Sequence, residues 1–312
     1  MSNISAENIK LLREKTGAGM MDCKKALVEN DGDISKATSW LRKKGIAKAE
    51  KKSSRVAAQG LVGLKTCDDI CLLLEINSET DFVSKNKDFQ AFVDNILNIG
   101  IIKKYTIDSL LKAQYMNNET VEVALQNLIA KIGENIVIRR LLYLEAESKN
   151  IIFGSYVHNK ISDNIGRMAC VVKMFSNNNS NKDVIDLANK IAMHITALKP
   201  LAIDEKSLDT SFIEKERDIY TSQLKASGKP ENIIDKIVDG KVKKYLSEVT
   251  LINQNWVLEP SLTLDQVLKD FNSNNNDNLS IIDFKLLILG EGIEVEEKSF
   301  SDEVASQVNN TT

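Results

Sequence analysis

The side chains able to do chemistry are few and scattered. The chain holds two histidines, His158 and His194, and four cysteines, Cys23, Cys67, Cys71 and Cys170. None of the cysteines forms a CxxC pair, and both histidines lie far from them in sequence. Reduced thiols therefore fit better than a zinc site or a disulfide framework. A GxxxxGK[ST] phosphate loop, a GxSxG nucleophile elbow and an HExxH zinc motif are all missing from the sequence. Gly17-Ala18-Gly19 is a fragment of a dinucleotide fingerprint with no strand before it, and reads as a turn between helices. Carboxylates are abundant, yet no paired-carboxylate motif marks a general acid and base. The expectation is a protein that is not an enzyme, with no catalytic residue, cofactor or metal ligand to assign.

Two segments are unusual for a purely structural chain. Met20-Met21 follows the glycine turn, where flexible apolar side chains suit an adaptable binding surface; the alternative is that both fill a small helical core. Thr80-Asp81-Phe82-Val83 follows an apolar strand and precedes a helix. A Phe in such a loop is commonly a plug of the protein's own core. On a projecting loop, the Asp-Phe pair would instead form a probe with a charged tip and an apolar wedge.

The elements that must carry these segments can be read from periodicity. Residues 1 to about 53 form three helices: Ser5 caps the first and Gly17 ends it, the second carries Ala26 and Leu27, and the third runs from Asp33 with Ile34, Ala37 and Leu41 on one stripe until Gly45 stops it. A charged stretch from Lys48 to Arg55 then reads as a hinge. Strands follow at Leu61–Lys65 and Ile70–Ile76 around an Asp68-Asp69 turn, the second apolar enough to be central. Helices carry Phe89 to Leu97 and Val121 to Lys131, and Ile136–Leu144 returns as a strand. The order recurs with strands at Ile151–Val157 and Met168–Phe175, a helix from Asp183 to Thr196 and a strand from Leu279 to Leu289. This is a repeat of two α+β halves. Inside the second half, Phe212 to Leu224 and Ile234 to Val249 keep helical spacing on either side of Gly228-Lys229-Pro230. They form an antiparallel helical hairpin about 24 Å long at 1.5 Å per residue.

With these elements in place, the segments resemble the elongation factor Ts family. Thr16-Gly17-Ala18-Gly19-Met20-Met21-Asp22-Cys23-Lys24-Lys25-Ala26-Leu27 is similar to the family's N-terminal signature, and Thr80-Asp81-Phe82-Val83 to its second. Lys131-Ile132-Gly133-Glu134-Asn135-Ile136, Gly154-Ser155-Tyr156-Val157-His158, Ala192-Met193-His194-Ile195, Gly228-Lys229-Pro230 and Gly290-Glu291-Gly292-Ile293 follow in the family's order. The resemblance implies a ubiquitin-associated-like three-helix module at 1–53 and a core N-subdomain at 54–147. It further implies a core C-subdomain at 148–290, interrupted by a coiled-coil hairpin at about 207–250, and a C-terminal segment with a polar tail at 291–312.

It also implies a guanine nucleotide exchange factor that binds elongation factor Tu carrying GDP and binds no nucleotide itself. Asp81 and Phe82, with Thr80 and Val83, would enter the G domain and disturb its magnesium site. Arg13, Met20 and Met21 would grip the G domain, and His158 would lie on the face toward factor Tu. A homodimer through the core or the hairpin is a second partner expectation. The loop 159–167 is longer than the family's usual one, 176–182 is Asn-rich, and the tail after Lys298 is expected to be disordered.

Composition agrees. The 312 residues are 43% hydrophobic and 27% charged with a net charge of -3, which disfavours a nucleic-acid binder. The basic run from Lys43 to Arg55 reads as a solvated linker rather than an RNA contact. No apolar run approaches the roughly 18 residues a membrane span needs, and the N-terminus lacks a signal-peptide pattern, so a cytoplasmic protein is expected. The competing readings are a ubiquitin-fold binding adaptor, which gives the TDFV segment no role, and an enzyme of unrecognised type, which needs a deep polar pocket with convergent carboxylates.

Overall fold

The computed structural model describes residues 4–67, 69–116 and 118–294. The fold is α+β. Helices α1 (Ala6–Thr16), α2 (Met20–Glu29) and α3 (Ile34–Glu50) surround a small core of Leu12, Cys23, Ala26, Leu27 and Ala37. Ser5 and Asp33 accept backbone N–H bonds as N-caps of α1 and α3, and Gly17 closes α1 in the left-handed region at φ 66°.

Strands β1 (Gln59–Cys67), β2 (Ile70–Ser78) and β3 (Ile136–Glu145) enclose helices α4 (Lys87–Gly100), α5 (Ile107–Leu111) and α6 (Val121–Ile132) in sequence. Strands β4 (Ile151–His158), β5 (Ile165–Gly166) and β6 (Met168–Phe175) lead into α7 (Lys182–Leu198). The hairpin α8 (Thr210–Ala226) and α9 (Glu231–Val249) follows, then β7 (Asn255–Trp256), β8 (Glu259–Thr263), α10 (Leu264–Asn275) and β9 (Ser280–Ile288).

The predicted repeat has a definite topology. One sheet has the order β3-β2-β1-β5 and the other β4-β6-β9. In the first sheet β2 lies between β1 and β3, in the second β6 lies between β4 and β9, and these pairings are antiparallel. The sheets meet face to face over Val62, Leu64, Cys71, Leu73, Val171 and Leu287. The outer face of the first is covered by α4 to α6 through Phe89, Ile96 and Leu128, and that of the second by α7 and α10 through Ile191, Ile195 and Leu268. Strand β2 is buried on both faces for this reason, as its unbroken apolar run requires.

Two expectations change, and one loop gains a role. Gly45 does not end α3: the helix continues to Glu50, and Gly45 sits where an added Cβ would lie 3.5 Å from Ala130 on α6. A small residue there allows close helix contact. The stretch from Lys48 is accordingly not a hinge at its start, since Ala49 joins the core beneath α6. The long loop 159–167 is not idle: its β5 pairs with β1 at Val62 and Gly63, and Ile165 enters the first half's core. Helix α10 and the β7-β8 ribbon add to the elements expected from the sequence, although Leu264, Val267, Leu268 and Phe271 of α10 do keep helical spacing and pack into the second half's core. The turn residue Asp68 and the tail after Lys298 lie outside the described residues.

Candidate functional site

The TDFV segment begins as β2 ends. Asp81–Lys85 form a single 3-10 turn, and Asn86 then caps α4 by accepting from the N–H groups of Asp88 (2.9 Å) and Phe89 (3.2 Å). Consecutive pairs of residues take opposite fates. Val83, 4% exposed, is sunk in the first half's core, and Ser84 is also buried. Phe82 is 75% exposed, and Asp81 is exposed beside it. Phe82 is therefore not a plug of this protein's own core; Val83 is.

Both ends of the loop are tied. The Ser84 hydroxyl donates to the Asp81 carbonyl (2.6 Å) and Gln90 Nε2 donates to the Ser84 carbonyl (2.9 Å). At the other end, the Thr80 N–H and hydroxyl donate to the two oxygens of Glu134, at 2.9 and 2.6 Å. Thr80 thus faces inward as an anchor. Glu134 lies within the Lys131–Ile136 motif, and its partner Thr80 is 54 residues away, so sequence spacing gives it no visible part.

Met20 and Met21 are the first residues of α2 and are 60% and 75% exposed, so they do not fill the helical core. Arg13 is exposed in the last turn of α1, and its carbonyl accepts the Gly17 N–H at 2.8 Å. Lys131 connects this turn to the loop's side of the molecule: its stem lies 3.7 Å from where a Gly17 Cβ would stand, and its ammonium pairs with Asp88 in the first turn of α4 at 2.8 Å. His158 belongs to the other sheet, exposed at the end of β4, with Nδ1 3.3 Å from the Tyr156 hydroxyl.

His194, the other histidine, is wholly buried. The Val257 N–H donates to its Nδ1 (3.2 Å), so the proton rests on Nε2, which donates to Gln254 Oε1 (3.1 Å). Its ring stacks on Trp256, and burial pulls its pKa down to about 4. It is a neutral structural group holding the β7-β8 ribbon against α7. Beside the contact of α3 with α6, a cavity of about 640 Å³ is lined by the Gly17–Gly19 turn, Leu41, Val123 and Lys131 among others. Among the described residues, no group of three or more His, Cys, Asp or Glu side chains is arranged to hold a metal ion, and no helix is long and apolar enough to cross a membrane.

The arrangement offers contact surfaces: an anchored loop with one projecting aromatic ring, and a helix start with two exposed thioethers. Residues 79–291 match the family model described as elongation factor TS. The chain is similar to Elongation factor Ts of Rickettsia peacockii (strain Rustic), 45% identical over 304 residues that make up 97% of each chain. The same protein of Rickettsia felis (strain ATCC VR-1525 / URRWXCal2) and of Rickettsia prowazekii (strain Madrid E) is 44% identical over the same share. Likeness of this extent places the chain among the translation elongation factors. It belongs to the elongation factor Ts family.

Proposed function

We propose that this chain is the guanine nucleotide exchange factor for elongation factor Tu, acting in the cytoplasm during translation elongation. The observation that carries the reading is the exposure of Phe82 on a loop whose neighbours Thr80, Val83 and Ser84 are all tied down. An aromatic ring held out in water makes poor sense for a core and good sense for a partner. Phe82 enters the G domain as the wedge, and Asp81 brings negative charge toward the magnesium site. A displaced magnesium ion leaves the GDP phosphates less well neutralised, and GDP leaves.

Met20, Met21 and Arg13 hold the same domain from the three-helix module, and His158 faces factor Tu from the second half. Linkage is reciprocal: whatever factor by which this chain weakens GDP, GDP weakens this chain. Each tenfold corresponds to about 1.4 kcal/mol, drawn from the interface. Several separate contacts serve that need. No group of this chain makes or breaks a covalent bond in the process.

The test is release of labelled GDP from purified bacterial factor Tu. Substoichiometric amounts of this chain should accelerate release with turnover; absence of acceleration with a cognate factor Tu overturns the reading. A homodimer is a second proposal, favoured by Phe212, Ile219 and Ile233 standing exposed on the hairpin. Sedimentation at micromolar concentration tests it, and a monomer there overturns it.

A further inference from the structure

We propose that Glu134 is a positioning residue that holds the Phe82 loop in its projecting form before any partner arrives; the inference rests on the exchange function proposed above.

The loop cannot hold itself. A 3-10 turn of five residues, Asp81–Lys85, has poor hydrogen-bond geometry and too few bonds to offset the ordering of its backbone. Its C-terminal end is secured by buried Val83 and by Ser84 and Gln90. Its N-terminal end has the Ser78 hydroxyl on the Thr80 carbonyl (3.0 Å) and, beyond that, the Glu134 carboxylate. One carboxylate takes both donors of Thr80, each oxygen receiving one. Bonds to an ionised acceptor are stronger than neutral ones, and this pair fixes Thr80 immediately before the two exposed side chains.

Glu134 is itself held in place. Gly133 before it is the left-handed C-cap of α6, at φ 89° with its N–H on the Ile129 carbonyl. The N–H of Asn135 after it donates to Glu79 Oε1 at 2.6 Å, and the Asn135 side chain donates to the Arg55 carbonyl at 2.7 Å. The carboxylate therefore projects from a turn pinned on both sides. A loop ordered in advance does not lose its freedom on docking, a loss that otherwise weakens the contact.

The experiment compares the whole chain with Glu134→Ala, Phe82→Ala, the double variant and Thr80→Val. It reads GDP release from bacterial factor Tu over a range of concentrations, with the melting temperature and amide hydrogen exchange of each variant alone. Glu134→Ala should lower the maximal release rate about tenfold and speed amide exchange at residues 80–84, while leaving amides of β2 protected. Thr80→Val, which removes the hydroxyl bond only, should fall between wild type and Glu134→Ala. On the Phe82→Ala background Glu134→Ala should add little, because the ring it positions is gone.

The proposal is overturned if Glu134→Ala releases GDP at the wild-type rate, or if its amides 80–84 stay protected. It is equally overturned if the double variant is slower by the product of the two single effects, which would mark Glu134 as a contact in its own right. If wild type itself does not accelerate release, the exchange reading falls, while the amide measurement still decides whether Glu134 holds the loop.

Discussion

The Gly290 N–H donates to Glu75 Oε1 at 2.8 Å, although the two residues are 215 positions apart. Glu75, wholly buried in β2, also pairs with Arg139 at 3.1 Å and with Arg140. Arg140 reaches on to the Ile288 carbonyl (2.8 Å) and the Glu291 carboxylate (3.2 Å). One carboxylate thus ties the first half of the core to the end of the second. Burial pushes its pKa up, but the Gly290 N–H, the Arg140 guanidinium and the Asn77 amide outweigh burial and hold it below the ordinary value.

Glu75→Ala leaves two guanidinium groups facing a buried gap, and breaking a buried pair in this way costs about 3–5 kcal/mol. Chemical denaturation should show that loss. The pH sign follows from the lowered pKa: as pH falls below about 4.5, the ordinary value, the unfolded chain takes up the proton first. Stability from this cluster should fade as pH drops through the folded value, and the fade should be missing in Glu75→Ala.

His194 acts in a higher window. Its folded pKa of about 4 lies below the usual 6.5, so the unfolded chain binds a proton that the folded protein refuses. Its contribution is intact above pH 6.5, falls as the pH is lowered, and levels off near pH 4. The full change is on the order of 3 kcal/mol. Urea midpoints measured between pH 7 and 5 should decline in wild type and hold steadier in His194→Gln, relative to each protein's own value at pH 7.

Two glycines should respond in opposite directions. A Cβ on Gly154 would stand 2.2 Å from the Ala188 backbone, where α7 crosses β4. Gly154→Ala should force helix and sheet apart at about 3 kcal/mol or more. Gly240 in α9 has open space around it, and Gly240→Ala should stabilise the hairpin by about 1 kcal/mol, visible as slower amide exchange in α9.

Met20 and Met21 together should control affinity rather than maximal rate. Met20→Ala with Met21→Ala should raise the concentration for half-maximal GDP release, because both side chains are exposed and touch little of this protein. A drop in the maximal rate alone would contradict the division of labour. Substitution is a cleaner probe than removing the module, since Ala49 and Gly45 pack α3 onto the core and removal would uncover it.

Much of the fold was legible because its signals are local. The apolar run of β2, the Phe89-to-Leu97 stripe and the Gly-Lys-Pro break each declare an element without help from elsewhere. Gly45 misled because a helix-stopping glycine and a glycine admitting Ala130 look alike in one dimension. Helix α10 is legible in Leu264, Val267, Leu268 and Phe271 at helical spacing behind the Thr263 capping box, but the stripe is short and ends in an Asn-rich stretch that reads as loop. The candidate loop was legible as a motif, but the exposure of Phe82 and the inward turn of Val83 depend on a 3-10 geometry that no periodicity encodes. Glu134 was out of reach because its bond to Thr80 joins distant segments.

The most direct test sets two quantities side by side on one preparation of Phe82→Ala: the melting temperature and the rate of labelled GDP release from factor Tu. Burying a Phe side chain is worth about 1.5–3 kcal/mol, which corresponds to roughly tenfold to a hundredfold in rate. The ring is mostly exposed in this chain, so its loss should leave the melting temperature unchanged while release slows by that factor. A variant that melts early yet releases GDP at the wild-type rate per folded molecule would contradict the account.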